Sequence, residues 1–177
     1  MTTPTAHRLR ATAGALAAAG TLALTTAAPA HADLPPNAGI QRQIVNAATG
    51  KCLEIADWRT EGGAPARQWT CTGGDNQKWI WSQNGQLINV HSGMCLDIPG
   101  ASTVWGTYAD QWECGPDANQ KWRQTYVPGT TDFTLVNYAS RLALDVYGGG
   151  TADGTPVIQW EDKGTDNQRW HYRTSVG

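Results

Sequence analysis

The sequence is poor in several things that common functions require. Basic charge is not in excess: 13 Lys and Arg stand against 15 Asp and Glu, for a net charge of −2. Phosphate backbones demand clustered cations, so nucleic acid is excluded as the expected partner. Histidine is scarce. Of four, His7 and His31 lie near the N-terminus, which leaves His91 and His171, neither at a ligand-like spacing from the four cysteines. No metal site and no cofactor is therefore expected. The sequence also has no Gly-x-Ser-x-Gly turn, so a Ser-His-Asp nucleophile has no footing. Helical periodicity is missing as well. A single Phe contrasts with nine Trp. Tryptophan offers a flat apolar face with a polar N–H, so this bias points to repeated core positions or repeated ligand platforms.

The one long apolar run is N-terminal. His7, Arg8 and Arg10 precede an Ala- and Leu-rich stretch from Ala11 to about Leu24, followed by Ala30-His31-Ala32. This is the pattern of a secretory signal peptide over 1–32; the run is short for a membrane anchor, and no membrane insertion is expected. Loss of Arg8 and Arg10 takes the net charge from −2 to −4. Residues 33–42 read as a short linker and 43–177 as one domain, secreted and extracellular, where disulfides are permitted.

Three signatures recur through that domain. Asn76-Gln77-Lys78-Trp79 returns as Asn119-Gln120-Lys121-Trp122 and Asn167-Gln168-Arg169-Trp170. Upstream stand Cys52-Leu53-Glu54-Ile55, Cys95-Leu96-Asp97-Ile98 and Ala143-Leu144-Asp145-Val146; each carboxylate precedes its signature Trp by 25 residues. Between them lie Gln68-Trp69, Gln111-Trp112 and Gln159-Trp160, whose Trp follows the carboxylate by 15 residues. Asn46, Asn89 and Asn137 each stand six residues before the Cys, Cys or Ala position. The repeat is 43 residues, then 48, the extra five falling in Pro128–Asp132.

Segments of four to six residues with period-two alternation, separated by Gly, Asn, Asp and Pro clusters, predict about four short strands per repeat. Asn84-Gly85 predicts a two-residue hairpin loop. In Leu96-Asp97-Ile98 the alternation sends the aliphatics one way and the carboxylate the other, so each repeat is expected to show one acidic group to solvent. Three four-stranded repeats close most naturally into a threefold barrel with capping hairpins, an all-β β-trefoil, because closure removes sheet edges.

On these residues, the three Gln-x-Trp motifs with their preceding Asn, the Cys-Leu-Asp-Ile strand and Trp-x-Cys, the segment 43–173 resembles the ricin B-chain-type β-trefoil lectins, notably the sugar-binding modules of secreted actinobacterial glycoside hydrolases. Four cysteines allow three connectivities. Cys52 and Cys71 are 19 residues apart, as are Cys95 and Cys114. One bridge inside each of the first two repeats is the simplest pairing, worth roughly 3 kcal/mol each on the chain-entropy model.

A sugar presents a face of C–H bonds and an edge of hydroxyls, so its site needs an aromatic platform, a carboxylate and an amide. The resemblance implies Asp97, Trp112 and Asn119 for the second site, Asp145, Trp160 and Asn167 for the third, and Glu54, Trp69 and Asn76 for the first. Gln77, Gln120 and Gln168 match the family's supporting glutamine. Trp79, Trp122 and Trp170 are expected in the core. The first site departs most from the pattern. Glu54 is one methylene longer than Asp, Asp57 stands where Gly100 and Gly148 stand later, and the position two before the platform is Arg67, Asp110 or Ile158. Tyr147 is expected to add an aromatic wall to the third site, and Trp105 and Tyr108 to the second.

The reading is a secreted, noncatalytic carbohydrate-binding protein with up to three shallow sites, each roughly millimolar, strengthened by avidity on a polysaccharide or glycan. Galactose-like or xylan-type sugars are what the resemblance implies. A trefoil protease inhibitor presenting Arg59 or Lys163 on one loop is the alternative. A glycoside hydrolase is disfavoured, because repeat-equivalent carboxylates stand on separate lobes. Only about ten residues separate the expected leader from the first repeat, and the sequence carries no sign of whether an enzyme partner exists as a separate chain.

Overall fold

A computed structural model describes residues 39–173; the expected signal peptide lies outside the described residues. Twelve strands fall four to a repeat. The first repeat holds β1 (Arg42–Asn46), β2 (Cys52–Ile55), β3 (Ala64–Trp69) and β4 (Lys78–Trp81). The second holds β5 (Leu87–Asn89), β6 (Cys95–Asp97), β7 (Asp110–Trp112) and β8 (Trp122–Tyr126). The third holds β9 (Phe133–Asn137), β10 (Ala143–Val146), β11 (Val157–Trp160) and β12 (Trp170–Arg173).

The first and fourth strands of each repeat build a barrel. β1 pairs with β4 and β12, β4 with β5, and β9 with β8 and β12, all antiparallel. β8 is tied to the loop between β4 and β5, where Trp122 donates its N–H to the Gly85 carbonyl at 2.8 Å. The second and third strands form hairpins, β2 with β3, β6 with β7 and β10 with β11. These meet in a threefold cap through β3 with β7 and through the bridges Arg67 to Pro156 and Tyr108 to Ile158. This is the β-trefoil expected from the repeats.

Alternation decides the core. Leu53 and Ile55, Leu96 and Ile98, and Leu144 and Val146 point inward and are fully buried. Trp79, Trp122 and Trp170 are buried among them, and their indole N–H groups donate to the carbonyls of Leu53, Leu96 and Leu144 at 3.0, 3.1 and 3.1 Å. The apolar ring fills the barrel while its single polar group is satisfied. The signature Trp is thereby tied to the residue preceding the carboxylate. The disulfides join Cys52 to Cys71 and Cys95 to Cys114.

The β4–β5 loop differs from the sequence expectation. Ser82 donates to the Gln86 carbonyl and Gly85 to the Ser82 carbonyl, with Gly85 at φ 80°. It is a three-residue loop with a left-handed glycine. Asn84 keeps a negative φ and the two-residue primed turn does not form.

Two sets of buried amides lock the repeats together in a cycle. Gln68 donates to Gly150 and Ala152 carbonyls, Gln111 to Arg59 and Glu61, and Gln159 to Ser102 and Val104. Asn46 donates to the Asn167 carbonyl, Asn89 to Asn76 and Asn137 to Asn119. Each amide thus fixes backbone belonging to the preceding repeat, counted cyclically.

Candidate functional site

Each repeat assembles one site from three elements. The second strand supplies the carboxylate, the third ends on the platform Trp, and the 3-10 turn before the fourth strand supplies Asn and Gln. Cross-strand pairing places Arg67 opposite Glu54, Asp110 opposite Asp97 and Ile158 opposite Asp145. That register position holds a different kind of residue in each site: a cation, a carboxyl and an aliphatic.

In the second site, Asn119 Nδ2 donates to Asp97 Oδ1 at 2.6 Å. Gln120 is buried and spans the loop after β7, accepting from Gly115 N–H at 2.7 Å and donating to the Glu113 carbonyl at 2.9 Å. Trp112 is half exposed, its ring against Gly62; a Cβ there would come within 2.9 Å of the indole. Asp97, Gly100, Asp110, Trp112, Asp117 and Asn119 enclose a cleft of about 510 Å³, ample for one sugar ring.

The third site repeats the plan with different walls. Gln168 Nε2 donates to Asp145 Oδ2 at 2.8 Å, and its Oε1 accepts from Lys163 N–H at 2.8 Å. Asn167 Nδ2 donates to the Val146 carbonyl at 3.2 Å. Tyr147, Ile158, Trp160, Lys163 and Thr165 complete a cleft of about 440 Å³.

The first site is filled by its own chain. Arg67 Nε donates to Glu54 Oε1 at 2.9 Å and Nη2 to Asp57 Oδ1 at 2.9 Å, and the guanidinium lies over Trp69, 4.3 Å from the ring centroid. Gln77 and Asn76 donate to Glu54 Oε2 at 2.8 and 3.3 Å. A cation therefore takes the position on platform and carboxylate that a sugar would need. Asp57 sits at φ 56°, the left-handed region that Gly100 and Gly148 occupy in the other repeats.

Two expectations are corrected here. The carboxylates are not shown to solvent: Glu54, Asp97 and Asp145 are 3, 4 and 4% exposed. The alternation does turn them away from the core, but the Asn and Gln of the 3-10 turn close over them. Burial accordingly raises the pKa of Asp97, opposed by the neighbouring Gln120 and Asp110 side chains, and that of Asp145, opposed by Gln168, Asn167 and the Lys163 charge. Burial together with the facing Asp97 carboxylate pushes Asp110 up to about 7. Secondly, Trp105 and Tyr108 do not belong to the second site. Their loop is clamped to β11 by Gln159, so Trp105 lies 5.5 Å from the Trp160 ring and Tyr108 6.3 Å from Tyr147, both at the third site.

The clamping glutamines were visible only as half of a Gln-Trp dipeptide. The strict recurrence of Gln beside each platform was the available signal. Of the two basic residues expected on an inhibitory loop, Arg59 is held by Glu61 at 2.6 Å and Lys163 lines the third cleft.

The comparisons agree with this architecture. Among curated proteins none matches the sequence. Among solved structures, a designed threefold-symmetric protein, ThreeFoil, is 36% identical with a TM-score of 0.72, over 75% of this chain and 96% of that one. An exo-beta-1,3-galactanase from Clostridium thermocellum is 29% identical with a TM-score of 0.73, over 76% of this chain but only 30% of that enzyme. The Macrolepiota procera ricin B-like lectin, solved in complex with lactose, shares the fold at 22% identity and a TM-score of 0.67, over 76% of this chain and 95% of that one. The model of the ricin-type beta-trefoil lectin domain matches residues 41–170, and with that match spanning all three repeats the chain belongs to the ricin-type β-trefoil lectin domain family.

Proposed function

We propose that this protein is a secreted, noncatalytic lectin that holds neutral sugars, galactose-like or xylan-type, at its second and third repeat sites. The observation that carries this reading is the convergence, twice, of a buried carboxylate, an Asn, a supporting Gln and an accessible Trp on one open cleft. The carboxylate accepts vicinal hydroxyls, the amide completes them, and the indole takes the C–H face of the ring. The first site contributes no sugar contact in this reading, since Arg67 occupies it.

Absence of catalysis is supported by geometry. A hydrolase separates its two carboxyls by about 5 Å or more to flank a glycosidic bond, whereas Asp97 and Asp110 face each other directly across β6 and β7. In the third site Ile158 replaces the second carboxyl. Secretion is supported by the N-terminal pattern and by two disulfides.

The test is a glycan array followed by titration calorimetry, comparing the full chain with the double variant Asp97→Ala, Asp145→Ala, with near-UV circular dichroism as the folding control. Binding by the wild type and its loss in the folded variant is the expected result. A folded wild type that retains no galactoside or xylan overturns the reading.

A further inference from the structure

A repeated scaffold explains repeated residues, and the third site carries aromatics that do not repeat. Tyr147 has Pro99 and Ala56 as its counterparts, Trp105 has Gly62 and Asp153, and Tyr108 has Pro65 and Pro156. All three aromatics are about half exposed, at 52, 51 and 55%, and packing does not account for their cost in surface. Inside the cleft are Tyr147 and Trp160. Each has an outer partner from the second repeat: Trp105 beside Trp160 at 5.5 Å, and Tyr108 beside Tyr147 at 6.3 Å.

The outer pair is held as firmly as the inner one. Gly106 N–H donates to the Gln159 carbonyl at 2.9 Å, Gln159 N–H to the Thr107 carbonyl at 3.0 Å, and Ala109 N–H to the Val157 carbonyl at 2.9 Å. Residues 102–109 contain no charged side chain. A rigid, uncharged aromatic ledge continuous with a sugar cleft suits another neutral sugar ring. Building on the lectin reading, we infer that Trp105 and Tyr108 form a second subsite, so that the third site takes two or more linked units of a neutral oligosaccharide. The first and second sites have no such ledge, because Gly62 and Pro65 face the second site and Asp153 and Pro156 the first.

The experiment silences the second site with Asp97→Ala in the full chain and titrates galactose against β-1,3-galactotriose, then xylose against xylotriose. In one of the two series the trisaccharide binds at least about fivefold tighter than its monosaccharide. Adding Trp105→Ala and Tyr108→Ala brings the trisaccharide to within about twofold of the monosaccharide, whereas Trp105→Phe with Tyr108→Phe keeps the gain. Near-UV circular dichroism checks that each variant is folded. Equal affinity for monosaccharide and trisaccharide, or a gain that survives the double alanine change, overturns the subsite while leaving the lectin reading intact. If the unmutated chain binds none of the four sugars, the lectin reading fails and the subsite fails with it.

Discussion

The Arg67 guanidinium lies over the Trp69 ring, 4.3 Å from its centroid, while its Nε holds Glu54 at 2.9 Å. The first repeat thus satisfies its platform and its carboxylate internally. The Glu54 side chain is 4% exposed and that of Arg67 19%, so loss of the cation strands a buried charge. Arg67→Ala is expected to lower stability by about 2–4 kcal/mol in chemical denaturation, and Glu54→Gln in the same chain to recover most of it. Additive losses in the double variant would show that the pair is not coupled.

A pH dependence follows from the second site. Asp110 is pushed up to about 7 by burial and by the facing Asp97 carboxylate, above an unfolded value of about 3.9. The folded state keeps a proton that the unfolded chain has already lost. This group's contribution therefore favours folding below about pH 4 and is lost as pH rises through about 7. Asp110→Asn should match the wild type at pH 4 and exceed it by on the order of 2 kcal/mol at pH 8. Parallel profiles in thermal melts from pH 4 to 8 would refute the assignment.

Asp145 makes a different trade. Burial raises its pKa, with Gln168, Asn167 and Lys163 opposing the shift, so its charge is held at a cost to the fold. Asp145→Asn should weaken sugar binding at the third site by about tenfold or more, since charged acceptors are roughly twice as strong as neutral ones. The same change should leave stability equal or slightly higher at pH 8. Calorimetric titration and melting of the same sample read both effects.

The disulfides serve the sites unequally. Cys114 lines the second cleft, while the third repeat has Ala143 and Asp162 at the corresponding positions. Replacing Cys95 and Cys114 by Ala is expected to cost roughly 3 kcal/mol and to weaken the second site, with third-site binding retained in the Asp97→Ala background. Equal loss at both sites would mean that the bridge supports the whole cap.

Much of the site was legible because its spacing is local. The 15- and 25-residue intervals are one hairpin and one turn within a repeat, and the hairpin register turns them directly into neighbours in space. Alternation correctly turned Asp97 and Asp145 out of the core. It could not tell that Asn119 and Gln168 would close over them, because that depends on where the 3-10 turn docks. Position along the chain puts Trp105 and Tyr108 with the second repeat that encodes them, whereas in the cyclic cap they stand at the third site.

The sequence by itself determined the three repeats, the strand pattern and the burial of Trp79, Trp122 and Trp170, since each follows from short-range periodicity and composition. Only the tertiary structure decided which loop borders which site. Gln68, Gln111 and Gln159 clamp backbone of another repeat, and contacts made between repeats when a barrel closes leave no spacing signal along the chain. The same closure gave the third site its outer aromatics, while the residue opposite each carboxylate set Arg67 onto Trp69 within its own hairpin, so three copies of one motif became three chemically different surfaces.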